Sequence, residues 1–453
     1  MSVSTNLHLS VIGTGYLGAT HAVCMAELGF DVVGVDVDPV RIRRLAGGEV
    51  PFFEPGLEEL LRKHLESHRL RFTTSVADAA ATADVHFICV GTPALPGADA
   101  ADVSYIDAAV TGLVRGGIRP GTLVVGKSTV PVGTAMRLAG RLDAEASDVE
   151  LAWNPEFLRE GSAVDDTLCP DRLVFGLHPD PVRAGMARSV LRRVYAPLID
   201  AGTPVVAADY ATAELVKVAA NAFLATKISF INAMAEICAV TGADVIDLSA
   251  ALSYDSRIGG RFLRAGLGFG GGCLPKDIRA FQARVDELGA GPALAFLAEV
   301  DAVNSRCRTR TVALTTQLLG GTVTGRRIAV LGAAFKPNSD DIRDSPALDV
   351  ASALHRAGAA VTVYDPAAIP NCRVSHPQLT YAANAVHAAT GADILLHLTE
   401  WSEFRELEPA ALTPLVADTV IVDGRNTLDP AAWRAAGWAY YALGRPARPA
   451  SRW

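Results

Sequence analysis

The stretch that most restricts the fold lies close to the N-terminus. LHLSVI (7–12) is an apolar run of strand length, GTGYLG follows with Gly13, Gly15 and Gly18, residues 19–28 read as an apolar helix, and DVVGVDVD carries a second strand to Asp36. A lone GxGxxG is a weak signal, because glycine is common. Set between a strand and a helix, with an acid 18 residues beyond Gly18, it is a complete βαβ dinucleotide unit. In such a unit the pyrophosphate rests on the helix N-terminus. Asp36 accepts hydrogen bonds from the adenosine ribose and repels a 2′-phosphate, so NAD is the expected cofactor. A turn followed by a surface acid would not explain the strand, the helix and the acid together.

The same grammar continues. HFICVGTP (86–93), TLVVGKSTVPVGT (122–134), VELAWNPEFLREG (149–161), RLVFGL (172–177) and PVVAAD (204–209) each contain an apolar strand, the first three running into polar loops. Ligands bind beyond the carboxyl ends of strands in open parallel sheets. Thr92, Thr129, Glu156 and Glu160 lie at such ends, although any one of them alone reads equally well as a helix cap. After Gly320-Gly321 the pattern restarts in RRIAVLGAAFKP (326–337), AAVTVYDP (359–366), ADILLHLTEW (392–401) and VIVDGRN (420–426). This second doubly wound unit has lost GxGxxG and is not expected to hold a second dinucleotide in the same way. The Pro/Arg-rich tail from Gly444 is expected to be loose.

Between the two halves, residues 209–241 hold a proline-free helical pattern that is apolar almost all round, which predicts burial between domains or subunits. Lys217 and Asn221 share one face of it, and Asn232 and Glu236 repeat the spacing. A buried lysine needs a partner, so Lys217 either faces a polar pocket, the favoured reading, or pairs with Glu214. DSRIGGRFLRAG (255–266) offers three arginines for phosphate or for solvent. GFGGGCLPKD (268–277) follows. Its glycines let the backbone turn at positive φ and approach a ligand, and they lead into Cys273, Lys276 and Asp277. Lys276 would favour the thiolate, the nucleophilic form of Cys273. The plain alternative is a packed structural cysteine, because free cysteines are usually buried.

Composition narrows the class. A chain of 453 residues exceeds one core, and a net charge of −8 argues against non-specific nucleic-acid binding. Seven cysteines without a CxxC pair imply neither a disulfide framework nor a structural zinc and fit a reducing, cytoplasmic setting. No leader-like start and no 18-residue apolar run suggest a membrane. Only six of the 41 basic residues are lysines, and Lys127, Lys217, Lys276 and Lys336 all fall inside the motifs above. An ammonium can give up its proton where a guanidinium cannot, so these positions suggest chemistry.

Taken in order, the fingerprint, GKSTVPVGT, NPEFLREG, the Lys217/Asn221 helix, RIGGRFLRAGLGFGGGCLPKD and GAAFKPNSDDIRDSP resemble the UDP-glucose/GDP-mannose dehydrogenase family over nearly the whole chain. No catalytic position departs from the family pattern. The resemblance implies an α/β fold with two doubly wound, Rossmann-like parallel-sheet domains joined by a long central helix and a helical middle region. The implied boundaries are 1–207 for NAD, 208–320 for dimerisation and catalysis, and 321–453 for the UDP-sugar. It also implies a four-electron oxidation of a sugar C6 alcohol to a carboxylate with two NAD⁺ consumed. UDP-glucose is the expected substrate, with GDP-mannose and UDP-N-acetylhexosamines open as alternatives, and no metal is expected. In the implied roles Cys273 captures the aldehyde, Lys217 steadies oxyanions, Asn221 orients the C6 oxygen, Asp277 assists proton transfer, and Thr129 with Glu156 places the hydrolytic water. Gly13, Gly15, Gly18, Asp36, Arg41, Thr92, Thr129, Glu160, Lys276 and Arg343 match cofactor positions. Glu156, Phe157, Leu158, Lys217, Asn221, Phe262, Leu263, Gly270, Lys336 and Arg425 match substrate positions. Arg257 is expected to reach a neighbouring subunit's site, which implies a homodimer or larger assembly.

Three other classes fit the sequence less well. A single-step 2- or 3-hydroxyacid dehydrogenase also pairs the fingerprint with Lys-x-x-x-Asn, but needs neither the cysteine nor the second doubly wound domain. A short-chain epimerase needs Tyr-x-x-x-Lys, and no tyrosine here has a lysine four residues on. A non-catalytic NAD sensor would leave Cys273, Lys276 and Asp277 unexplained.

Overall fold

The computed structural model describes residues 7–446, so the end of the Pro/Arg-rich tail, 447–453, lies outside the described residues. The chain divides into two compact units. One comprises residues up to 220 together with 279–289, and the other comprises 221–278 together with 290 onward.

The first unit is built on eight strands: β1 (His8–Ile12), β2 (Asp31–Val35), β3 (Leu70–Thr73), β4 (Val85–Ile88), β5 (Leu123–Gly126), β6 (Glu150–Trp153), β7 (Leu173–Leu177) and β8 (Val205–Asp209). Their order is β3-β2-β1-β4-β5-β6-β7-β8. All neighbours are parallel except β6 and β7, which meet antiparallel at Trp153 and Gly176. The first six strands follow the doubly wound order that opens a ligand crevice where the winding reverses beside β1. Continuous apolar runs such as that of β5, buried at every residue, reflect a sheet covered on both faces.

The second unit repeats the plan with β9 (Arg327–Leu331), β10 (Ala360–Tyr364), β11 (Thr380–Tyr381), β12 (Ile394–His397), β13 (Val420–Asp423) and β14 (Ala439–Ala442). The order β11-β10-β9-β12-β13-β14 is wholly parallel. The internal repeat read from the sequence is therefore topological as well. The turn after β9 differs from the one after β1. The helix after β1 starts at Tyr16, whereas the helix after β9 starts only at Pro346, so residues 332–345 form a loop. Asp365, the counterpart of Asp36, is buried and saturated. It accepts from the amides of Ala333, Ala334, Ala367 and Ala368 and from the Trp401 indole. A carboxylate so occupied holds the turn and has no lone pair to offer a ribose.

The central helix runs Tyr210–Thr241. Its length and apolarity would suit a membrane span, but a core helix passes the same test. The expected all-round burial is not met within this chain. Phe223, Phe230 and Ile237, spaced by seven, are 67%, 49% and 51% exposed.

Candidate active site

In the first unit the glycine turn has the shape its sequence demands. Gly13 has φ +90°, and a Cβ on Gly18 would lie 1.7 Å from the Gly13 carbonyl oxygen, so the helix can start this close to the strand only with glycine there. Gly15 caps the helix Tyr16–Glu27 with extended backbone and no side-chain acceptor, leaving its first amides for an anion. Asp36 follows β2. Its Oδ2 accepts from Thr14 N at 2.8 Å and from Arg41 Nη1 at 3.0 Å, and its Oδ1 from Asp38 N at 3.0 Å. Burial alone would raise this carboxyl, but the hydrogen bonds from Asp38, Thr14 and Arg41 bring it below its ordinary value. It is an anion at neutral pH, and the turn fits a dinucleotide with a free 2′-hydroxyl.

Beyond the ends of β4, β5 and β6 the other predicted residues of this unit gather. Thr92 Oγ1 donates to the Thr129 carbonyl at 2.8 Å. Glu156 accepts Lys217 Nζ at 2.9 Å and the Leu158 amide at 2.5 Å. The Phe157 ring lies under Arg172, whose Cζ is 3.7 Å from its centroid, with Lys217 Nζ at 5.7 Å. Glu160 is half-buried on the same loop. Lys217 therefore has an acidic partner, Glu156, and not the Glu214 nearer in sequence. Glu214 accepts the amides of Gly133 and Ala135 at 2.7 and 2.6 Å, crowning the helix Thr134–Glu145, and burial raises its carboxyl to about 7. Lys127 is also buried, 3.0 Å from Asn154 Oδ1, and burial lowers it to about 8.

In the second unit Cys273 directly precedes the helix Leu274–Glu287, with its carbonyl accepting Asp277 N at 2.9 Å. Asp277 is 3% exposed and takes Asn221 Nδ2 at 2.7 Å on one oxygen and Lys276 Nζ at 2.8 Å on the other. The seven free cysteines differ sharply in setting. Cys24, Cys89, Cys238, Cys307 and Cys372 are buried, whereas Cys169 and Cys273 are exposed. Burial pushes the thiols of Cys24, Cys89 and Cys372 up to about 12 and that of Cys307 to about 11, which makes them inert. The packed-cysteine alternative thus describes those residues and not Cys273.

The remaining predicted positions have varied settings. Arg257 is exposed and pairs with Asp255 at 2.6 Å, and Arg261 and Arg264 are exposed as well. Phe262 has φ +64°, a conformation uncommon for a bulky residue. Leu263 is buried in a small core with Ile231 and Val245, and Ser249 donates to its carbonyl. Lys336 Nζ sits 5.4 Å from the Phe335 ring centroid. Arg343 pairs with Asp341 at 2.6 Å, and a Cβ on Gly272 would meet its guanidinium. Arg425 spends its guanidinium on the protein, with Nε on the Leu398 carbonyl at 2.7 Å, Nη1 on that of Gly268 at 3.1 Å and Nη2 on that of Phe335 at 3.1 Å. Sequence reasoning did not single out Asn304 and Arg308. They are one turn apart on the helix Phe296–Leu318 and bond the backbone of Phe269. Two polar residues at helical spacing on a face otherwise made of Val300, Val303 and Cys307 are the signal that marks them.

A glycine-rich turn with a buried acid beyond the second strand, two doubly wound sheets, and an exposed thiol close in sequence to the Lys276–Asp277 pair that Asn221 joins are the plan of an NAD-dependent dehydrogenase. Family models match all three regions: the NAD binding domain at 7–199, the central domain at 211–306 and the UDP binding domain at 329–430. The chain belongs to the UDP-glucose/GDP-mannose dehydrogenase family. It is 42% identical to a UDP-glucose 6-dehydrogenase of Rhizobium meliloti over 97% of this chain and 100% of that one, and 41% identical to one of Pseudomonas aeruginosa over 97% and 98%. The structure of a UDP-glucose dehydrogenase from Pyrobaculum islandicum superposes with a TM-score of 0.88 at 39% identity, over 98% of this chain and 99% of that one.

Proposed function

We propose that this chain oxidises UDP-glucose to UDP-glucuronate through a covalent adduct on Cys273, following R–CH2OH + 2 NAD⁺ + H2O → R–COO⁻ + 2 NADH + 3 H⁺. Bound at the Gly13–Gly18 turn, NAD⁺ supplies a hydride acceptor for each of the two oxidations. The protein does the rest. Asn221 orients the C6 oxygen, and Asp277 assists the transfer of its proton. The Cys273 thiolate adds to the C6 aldehyde, forming a C–S bond and keeping the substrate on the enzyme for the second oxidation to a thioester. Lys217 supplies positive charge as oxygen becomes anionic. Glu156 and Thr129 orient the water that breaks the C–S bond and frees the thiolate. The observation that carries this reading is that Cys273 is exposed at a helix N-terminus while five other cysteines are buried. UDP-glucose is favoured by the identity of about 40% to curated UDP-glucose 6-dehydrogenases along the whole chain.

The reading extends to a cytoplasmic homodimer. Among the described residues every cysteine is free, which suits a reducing compartment. The exposed apolar face of the central helix suits a partner, and Arg257, exposed and paired with its own Asp255, suits reaching a neighbour's substrate.

End-point NADH with limiting UDP-glucose tests the chemistry. Two NADH per sugar are expected, and one NADH with free aldehyde accumulating would move the enzyme to single-step oxidation. Cys273→Ala is expected to melt like wild type and lose turnover by a factor of about 1000 or more. Near-normal turnover in that folded variant would falsify the covalent route.

A further inference from the structure

Two loops of the second unit are stitched together. The first, 266–273, ends at Cys273, and the second, 335–345, carries Lys336 and Arg343. Three amides of the first loop are held from outside it: Gly266 N on Asn232 Oδ1 at 2.8 Å, Phe269 N on Asn304 Oδ1 at 2.7 Å and Gly271 N on the Arg343 carbonyl at 2.9 Å. The Phe269 carbonyl accepts Asn304 Nδ2 at 3.0 Å and Arg308 Nη2 at 3.1 Å. The same Arg308 guanidinium reaches the second loop, with Nη1 2.9 Å from Asp344 Oδ1 and also paired with Asp349 at the start of the next helix. Contact is close enough to exclude side chains. A Cβ on Gly270 would lie 2.2 Å from the Asp344 carbonyl oxygen, and one on Gly271 would lie 2.8 Å from the Phe335 ring. Neither loop can shift without breaking several of these contacts at once.

We propose that Arg308 is a positioning residue that locks the loop ending at Cys273 to the 335–345 loop, so that the nucleoside diphosphate of the substrate organises the nucleophile. This rests on the reading of Cys273 as nucleophile and of 335–345 as part of the nucleotide site. Physically, the nucleotide takes no part in the oxidation, yet its binding free energy is used at the reacting carbon, through a guanidinium that holds both loops. Only a planar fork spans a backbone carbonyl on one side and two carboxylates on the other.

The experiment uses the full-length enzyme and UDP without its sugar. Amide exchange is followed in the peptide spanning 266–273, and alkylation of Cys273 by iodoacetamide is followed by peptide mass. Neither readout needs turnover, so each is independent of the Cys273→Ala test. In wild type, saturating UDP is expected to slow exchange in this peptide at least about threefold and to change the alkylation rate by a similar factor. Arg308→Gln is expected to bind UDP within about fivefold of wild type, to lose both responses, and to lower kcat about tenfold with KM for UDP-glucose little changed. Arg308→Lys, which keeps the charge but not the fork, should behave alike and carries the test if the glutamine variant does not fold. UDP that binds wild type without altering exchange would overturn the proposal, as would a folded Arg308 variant with the full UDP response.

Discussion

Lys127 is the clearest case at the scale of single residues. The sequence marks it as one of six lysines in an arginine-rich chain. The structure shows what an arginine would disturb: an ammonium buried among Asn154, Tyr195 and the Phe87 ring, lowered by burial from 10.5 to about 8. In the unfolded chain this group keeps its proton up to its ordinary value. Between those two pH values unfolding takes up a proton, so the stability of wild type rises with pH. Comparing wild type with Lys127→Met by urea denaturation from pH 8 to 10 isolates the effect, and the wild type is expected to gain about 2 kcal/mol on the variant over that range. A gap independent of pH would mean that the ammonium is not desolvated. Cysteines teach a related lesson. Seven identical letters in the sequence become five buried thiols and two exposed ones, a distinction set by which atoms surround them.

At the scale of elements, the glycine run before Cys273 was legible and its purpose was not. The sequence pattern predicts that these glycines leave room for a ligand. Several of them make room for protein: Gly268 against Asn304, Gly270 against Asp344 and Pro346, Gly271 against Phe335. Gly270→Ala is therefore expected to lower the melting temperature of the ligand-free enzyme by several degrees, about 2 kcal/mol or more, and not merely to raise KM. A melt unchanged without ligand, combined with weakened UDP-glucose binding, would return Gly270 to a pure substrate role. The second doubly wound turn carries a similar message. The missing GxGxxG could be read directly, but that Asp365 is saturated by four amides and an indole depends on where Trp401 packs.

For the whole molecule, the central helix sets the question of assembly. Its apolar face at Phe223, Phe230 and Ile237 is exposed in a single chain, and a seam of that kind normally meets another copy. Phe223→Asp and Phe230→Asp are expected to shift sedimentation from dimer or larger toward monomer. If both variants sediment as wild type does, this seam is not the interface. Strand recognition follows position in the sheet except at β8, an edge strand that still reads as an apolar run. The buried inner strands of both sheets stood out as apolar runs, whereas β3, β11 and β14 were not recognised. All three lie at sheet edges, and β11 is two residues long. Edge strands face solvent along one side and need no apolar run.

What the sequence determined by itself is whatever follows from local geometry. The strand–glycine–helix–acid spacing, the restart of that grammar after Gly321, the shared face of Lys217 and Asn221, and the nearness of Cys273 to Lys276 and Asp277 depend only on the periods of helix and strand and on the conformations glycine permits. Tertiary structure alone decided partners and exposure. Lys217 met Glu156 from 61 residues away rather than Glu214 beside it, Arg425 turned its donors to backbone carbonyls, and Arg308 came to bridge two loops. Such pairings satisfy buried charges and carbonyls that only packing brings together, and no local period encodes them.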